Sequence, residues 1–239
     1  MTPHQHRPPI NVYSRELTDE EIAAGAHREL VGGSWDEIGM LQFYFLRSEG
    51  LRPEHTLVDI GCGALRGGVH FVAYLDEGNY CGIDRNRSFV TAGRRELDAS
   101  GTRRRPRLLV NDGFEVALFG AAFDYALAIS LFTHLPSDEI ARCLRAVGEV
   151  LEPHGRFYAS FFQSPHSAPI EQSPRSAHVE PIRHEPGRIT ADFGADRFYY
   201  SWEEMLALGA EAGLAARLIG DWRHPEQQQM LCFTRPRSA

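Results

Sequence analysis

The stretch that most limits what this chain can fold into runs from Thr56 to Gly68. Thr56-Leu57-Val58-Asp59-Ile60 is a short apolar run interrupted by one acid. It leads directly into Gly61-Cys62-Gly63-Ala64-Leu65-Arg66-Gly67-Gly68. Leu65, Val69, Val72 and Leu75 then stand near helical spacing. A strand, a glycine turn and a helix start in immediate succession predict an α/β unit whose turn lies against a ligand. Glycines remove the side chains that would hold a ligand off the backbone. The helix start offers N–H groups and the positive end of its dipole.

The same alternation recurs. Apolar runs at 80–84, 108–110, 123–130 and 156–162 read as strands, and 88–98 and 137–151 as helices. In the second helix Ile140, Cys143, Leu144, Val147 and Leu151 form one stripe. Ser201-Trp202-Glu203-Glu204 is a capping box for a helix ending near Gly213. Strands at 216–222 and 229–234 are joined only through His224-Pro225-Glu226, which demands an antiparallel hairpin. Upstream, Thr18-Asp19-Glu20-Glu21 caps a helix toward Leu30, Gly32-Gly33 interrupts it, and Ser34-Trp35-Asp36-Glu37 reads as a second capping box. The helix after it carries Ile38, Met40, Leu41, Phe43, Tyr44, Phe45 and Leu46, so it either lies over the sheet as core or lines a substrate site. The expected fold is α/β: a doubly wound, mostly parallel, seven-stranded sheet with helices on both faces and a C-terminal antiparallel hairpin. Residues 1–33 form an arm and helix, 34–239 one ligand-binding domain, and 163–200 an insertion rich in Pro, His, Ser and Arg that reads as a substrate lid.

Composition removes several function classes. All 25 basic residues are arginine, which excludes a P-loop lysine, a Schiff-base lysine and a pyridoxal-phosphate anchor. A net charge of −7 argues against broad attraction to nucleic acid. The run Arg103-Arg104-Arg105 with Arg107 reads as a solvated turn in preference to an RNA patch. No apolar run approaches ~18 residues, so no membrane span is expected. Residues 1–9 lack an apolar core and read as a flexible arm, not a secretory signal. Cys62, Cys81, Cys143 and Cys232 have no zinc-like spacing and read as free thiols in a reducing, cytoplasmic compartment.

Which ligand the glycine turn receives depends on the acids around it. The dinucleotide pattern G-x-G-x-x-G is missed by one position, since the third glycine is Gly67. Asp59 precedes the first glycine, Asp84 ends the second strand, and Asp112 follows the third in Asn111-Asp112-Gly113. With Asp59-Ile60-Gly61-Cys62-Gly63, Gly82-Ile83-Asp84, Asp124-Tyr125-Ala126-Leu127 through Phe132-Thr133-His134-Leu135, and Leu151-Glu152-Pro153-His154-Gly155-Arg156-Phe157, residues 35–162 resemble the class I S-adenosylmethionine-dependent methyltransferases. The departure is His154, where that family usually has glycine.

The resemblance implies S-adenosylmethionine as cofactor and roles for particular residues. Asp84 would accept from both ribose hydroxyls and Asp112 from the adenine amino group. The Gly113 N–H would meet a ring nitrogen, and Phe114 or Arg85 would flank the adenine. Gly61, Cys62 and Gly63 would pass the methionine part, and Asp59 would orient the loop or the ligand ammonium. Each acid also has an ordinary reading as a turn or cap residue. Arg66 would meet the cofactor carboxylate or a substrate anion, or else face solvent.

Methyl transfer needs a base only where the nucleophile must lose a proton. His134, after the fourth strand, is the candidate, with a turn-capping role as its rival. Ser130 and Thr133 share that mouth, and Trp35, Phe43, Phe162 and Tyr199 are candidate substrate walls. His166, His178 and His184 with Glu171, Glu180 and Glu185 read as solvated loop in preference to a metal site, so no metal is expected. The Asn/Asp-Pro-Pro-Tyr motif of amino-methylating nucleic-acid enzymes is replaced by Ser130-Leu131-Phe132-Thr133. The expected function is methyl transfer to an oxygen or nitrogen of a small molecule, a natural product or sugar-like metabolite, by a monomer or homodimer. The alternatives are an NAD(P)-dependent oxidoreductase and a sulfonium-binding protein without transfer.

Overall fold

The computed structural model describes residues 12–164 and 197–236. The arm at 1–9 and the His and Glu residues weighed as metal ligands lie outside the described residues. A 3-10 turn at Val12–Ser14 leads into α1 (Asp19–Ala23), α2 (Ala26–Leu30) and α3 (Trp35–Ser48). Then follow β1 (Leu57–Ile60), α4 (Gly68–Tyr74), β2 (Tyr80–Asp84), α5 (Arg87–Ala99), β3 (Arg107–Val110) and β4 (Phe123–Ala128). The chain continues through α6 (Ser137–Val150), β5 (Leu151–Gln163), β6 (Tyr199–Tyr200), α7 (Trp202–Glu211), β7 (Ala215–Asp221) and β8 (Gln229–Thr234).

The sheet order is β3-β2-β1-β4-β5-β8-β7, with β6 pairing beside β5. β1 through β5 run parallel, and β8 is antiparallel to both β5 and β7. The expected doubly wound sheet with its closing hairpin is therefore present, extended by the two-residue β6. The order reverses between β1 and β4. In open sheets of this kind ligands bind outside the carboxyl ends of the strands at such a reversal.

Two apolar layers hold the sheet. On one face Ile140, Cys143, Leu144 and Val147 of α6 pack with Phe157, Phe233 and Met205. On the other, Leu46 of α3 and Phe71 of α4 pack with Leu57, Tyr158 and Trp222. Each fully buried large aliphatic or aromatic side chain contributes roughly 1.5–3 kcal/mol.

Local signals failed where tertiary contacts decided the backbone. The Thr18 box forms, but the helix breaks at Gly25 (φ 80°) into α1 and α2. The Ser34 box does not form: Ser34 is left-handed at φ 41° and makes no side-chain cap bond. α4 begins only at Gly68, because Leu65 sits in the loop at φ 64° with its side chain fully buried. α6 ends at Val150, since Leu151 already pairs with Phe123 in the sheet. The arginine run is solvated, as expected, with Arg103, Arg105 and Arg107 exposed, and it is also tied down by its neighbours. Arg104 donates to the Ala73 and Leu75 carbonyls at the end of α4, Arg107 donates to the Phe119 carbonyl, and Arg105 pairs with Asp98.

Candidate active site

The strand ends at the reversal carry the expected acids. Asp59, within β1, is 5 % exposed and accepts a hydrogen bond from the Tyr80 hydroxyl at 2.7 Å. Burial pushes its carboxyl up to about 7; the Tyr80 bond opposes this and the Asp84 charge adds to it. After β1 the chain turns sharply, and the Gly61 and Cys62 amides both donate to the Ile83 carbonyl, at 2.8 and 3.0 Å. Gly61 has φ 70°, and a Cβ there would stand 3.0 Å from the Leu131 side chain, so only glycine suits. The Gly63 amide donates to Asp84 Oδ2 and the Asn86 amide to Asp84 Oδ1, each at 2.8 Å. One bond per oxygen leaves each oxygen able to accept another. Burial raises the Asp84 pKa, against these two backbone bonds. Burial, Asp84 and Asp59 together raise the Cys62 thiol, leaving it a neutral wall.

The β3 end differs in detail from expectation. Asn111 Oδ1 accepts from the Gly113 amide at 2.8 Å and the Glu115 amide at 3.1 Å, so the Gly113 N–H is turned into the loop and not toward a ligand. Asp112 is exposed, with its backbone carbonyl held by Arg142 at 3.0 Å. Phe114 is left-handed at φ 57°, and the Arg142 guanidinium lies 5.3 Å from its ring centroid. Arg85, at the β2 end, is exposed.

At the β4 end, Ser130 is left-handed at φ 56°. Its amide donates to Ser160 Oγ at 2.7 Å, and its hydroxyl bonds to the Gln228 side chain. Ser160 donates to Gln228 Oε1 at 2.6 Å. Thr133 is fully buried and donates to the Ser130 carbonyl at 2.7 Å. Both hydroxyls expected at the mouth are thus committed to the protein. His134 closes a 3-10 turn, and the Tyr13 ring meets its ring edge-on at 4.8 Å.

Tyr13 belongs to a strap that precedes α1. Asn86 Nδ2 donates to the Tyr13 and Arg15 carbonyls, both at 2.8 Å. The Glu16 carboxylate accepts from the Arg87 and Ser88 amides at 3.2 and 2.8 Å. The strap thereby crosses from the start of α5 to His134. Only the Asn86 position, an ordinary helix cap, marks this in the sequence.

Arg66 does not face solvent. Its Nη1 donates to the Val31 and Gly33 carbonyls at 3.0 and 3.2 Å. Burial pulls its pKa down to about 10, with Tyr13 and Glu226 acting the other way. Of the expected substrate walls, Phe162 and Tyr199 come together, stacked at 5.2 Å, with Arg197 over Phe162. Phe43 and Trp35 are taken up by helix packing. Phe43 lies against Phe71 and Tyr74 of α4, and Trp35 against His27 and Arg28 of α2.

Residues 58–157 match the methyltransferase-domain family. Several solved structures share the fold. Magnesium protoporphyrin IX methyltransferase from Synechocystis, with S-adenosylmethionine bound, is 12 % identical with a TM-score of 0.58, over 95 % of this chain and 88 % of that one. The sugar N-methyltransferase of a Streptoalloteichus species is 20 % identical with a TM-score of 0.59, over 98 % and 100 %. The mitomycin 7-O-methyltransferase is 17 % identical with a TM-score of 0.61, over 91 % and 60 %. An oxidoreductase reading is not favoured by the antiparallel β7–β8 hairpin or by these matches. The glycine turn, the acid at the end of β2 and the sheet order agree with the methyltransferase-domain match over residues 58–157, and the chain shares the fold of S-adenosylmethionine-dependent methyltransferases.

Proposed function

We propose that this enzyme methylates an oxygen or nitrogen of a small molecule, a natural product or sugar-like metabolite. The observation that carries the cofactor site is the Asp84 carboxylate, fixed by the Gly63 and Asn86 amides with acceptor capacity left on both oxygens. That pair of acceptors fits the two donating hydroxyls of a ribose diol. Gly61 and Gly63 leave the backbone bare for the methionine part, while Asp112, Phe114 and Arg85 stand at the adenine end. Asp59, buried behind the loop and bonded to Tyr80, sets the loop's shape.

When bound, S-adenosylmethionine supplies a methyl carbon already activated for in-line displacement. The chain's own part is alignment, exclusion of water and, for a protonated acceptor, removal of that proton at an imidazole nitrogen of His134. The stacked Phe162 and Tyr199 offer an apolar wall for a ring-bearing acceptor. The small-molecule enzymes that share the fold support this acceptor class. Four buried free thiols fit a reducing, cytoplasmic setting.

A thermal-shift comparison of S-adenosylhomocysteine with NAD tests the cofactor site. Ligand at ~100 Kd stabilises by about 2.7 kcal/mol, roughly 5–10 °C in a chain of this size. A shift with the homocysteine product alone supports the assignment, and a shift with NAD alone removes it.

A further inference from the structure

We propose that Arg66, Trp222 and His224 form a subsite for a carboxylate carried by the methyl acceptor. This rests on reading the crevice as the methyl-transfer site.

The sheet register sets the position of Trp222 and His224, and the Arg66 charge acts on His224. Phe161 near the end of β5 pairs with Gln229 at the start of β8, and Asp221 at the end of β7 pairs with the same Gln229. The connection between β7 and β8 therefore projects past the carboxyl end of β5, where the β1 and β4 loops also open. Gln228 of this connection reaches Ser130 and Ser160 there.

Among the described residues, two donors in this connection lack acceptors. Trp222 is 5 % exposed, and its indole N–H, a group that can only donate, is buried without a partner. His224 is 4 % exposed. Its Nδ1 accepts from the Glu226 amide at 3.2 Å, which puts the proton of the neutral ring on Nε2, and Nε2 too is buried without a partner. Burial and the Arg66 charge hold the His224 pKa at about 4, so the ring is neutral at working pH. The Trp222 and His224 rings lie 5.2 Å apart. A buried unsatisfied N–H costs on the order of 1–3 kcal/mol, and two side by side are the mark of a missing acceptor.

Arg66 supplies the charge. Among the described residues no carboxylate lies within ion-pair distance of it; Glu226, the acid that influences it, is paired with Arg197 at 3.4 Å. One guanidinium and two neutral N–H donors, with no acceptor among them, complement a monoanion with two oxygens. A carboxylate has that charge and shape. The sheet order separates this group from the cofactor's nucleoside end. Asp84 and Asp112 stand at β2 and β3, whereas Trp222 and His224 stand beside β5, on the other side of the reversal.

The test uses the full chain saturated with S-adenosylhomocysteine. The probes are 4-fluorobenzoate and its neutral counterpart 4-fluorobenzamide, followed by fluorine NMR. The indole N–H signals of the three tryptophans are followed in parallel, with Trp222 assigned from Trp222→Phe. Saturable binding of the benzoate, a shift of the Trp222 indole proton, and at least tenfold weaker binding of the benzamide support the subsite. Arg66→Gln should weaken the benzoate at least tenfold. Trp222→Phe, which keeps an aromatic ring at the site and removes the N–H, should weaken it about fivefold. Equal response to both probes, or to neither, overturns the proposal and leaves a buried water as the partner of Trp222 and His224. Calorimetry with S-adenosylhomocysteine and with 5′-methylthioadenosine, which lacks the amino-acid end, distinguishes the source. If Arg66→Gln weakens only the former tenfold, the carboxylate is the cofactor's and the acceptor assignment falls. Failure of wild type to bind S-adenosylhomocysteine removes the methyl-transfer site and this subsite together; binding without a benzoate site removes the subsite alone.

Discussion

The Gly63 amide donates to Asp84 Oδ2 at 2.8 Å, so the glycine turn after β1 and the acid ending β2 hold each other in place. Asp84→Asn breaks this arrangement, because an amide NH2 must then face either the Gly63 or the Asn86 N–H. Hydrogen bonds to charged groups are worth about 1.5–3 kcal/mol. Affinity for S-adenosylhomocysteine, measured by calorimetry, should fall roughly ten- to a hundredfold. Unchanged affinity would remove the ribose role.

Asp59 makes stability depend on pH in an unusual sense. Its carboxyl titrates at about 7 in the folded chain, against about 4 when unfolded. The folded state holds the proton more tightly, so this group's contribution is full below about pH 4 and is lost as pH rises through about 7. Asp59→Asn keeps an acceptor for Tyr80 without that dependence. In urea denaturation, the stability of the variant relative to wild type should increase from pH 5 to 7, by on the order of a few kcal/mol, and level off above. A constant difference would contradict a neutral buried Asp59.

Asn86 has two separable duties. Its Oδ1 caps α5 at the Ser88 and Phe89 amides, and its Nδ2 holds the strap at Tyr13 and Arg15. Asn86→Ala should cost about 1 kcal/mol for the cap and abolish hydrogen-exchange protection in the strap. Asn86→Asp keeps the cap oxygen and loses the donor, so strap protection alone should fall. Intact protection in both variants would mean the strap is held elsewhere.

On an acceptor whose nucleophile carries a proton, His134→Asn should lower kcat by about a hundredfold or more. The acid limb of the kcat–pH profile should disappear with it. Wild-type turnover would show that His134 only closes its turn against Tyr13.

Much of the site was legible because its signals are local. The strand, the glycine turn and the acid at the end of the next strand each depend on residues adjacent in the chain, and all appear where expected. Other expectations failed for lack of distant partners. Ser34 cannot cap α3 once its backbone is left-handed, Gly113 turns its amide to Asn111, and Phe43 finds α4. Thr133, expected at the mouth, closes the Ser130 turn.

By itself the sequence determined the alternating α/β architecture and the glycine-turn side of the candidate site, because hydrophobic period, glycine conformation and turn chemistry act over a few residues. Tertiary structure alone decided what surrounds the ends of β4 and β5. Tyr13 reaches its place through Asn86, 73 positions away, and Gln228 meets Ser130 across 98. Trp222 and His224 arrive there only because β8 pairs antiparallel to β5. Contacts of that range depend on how sheet and helices close on one another, which no local pattern encodes.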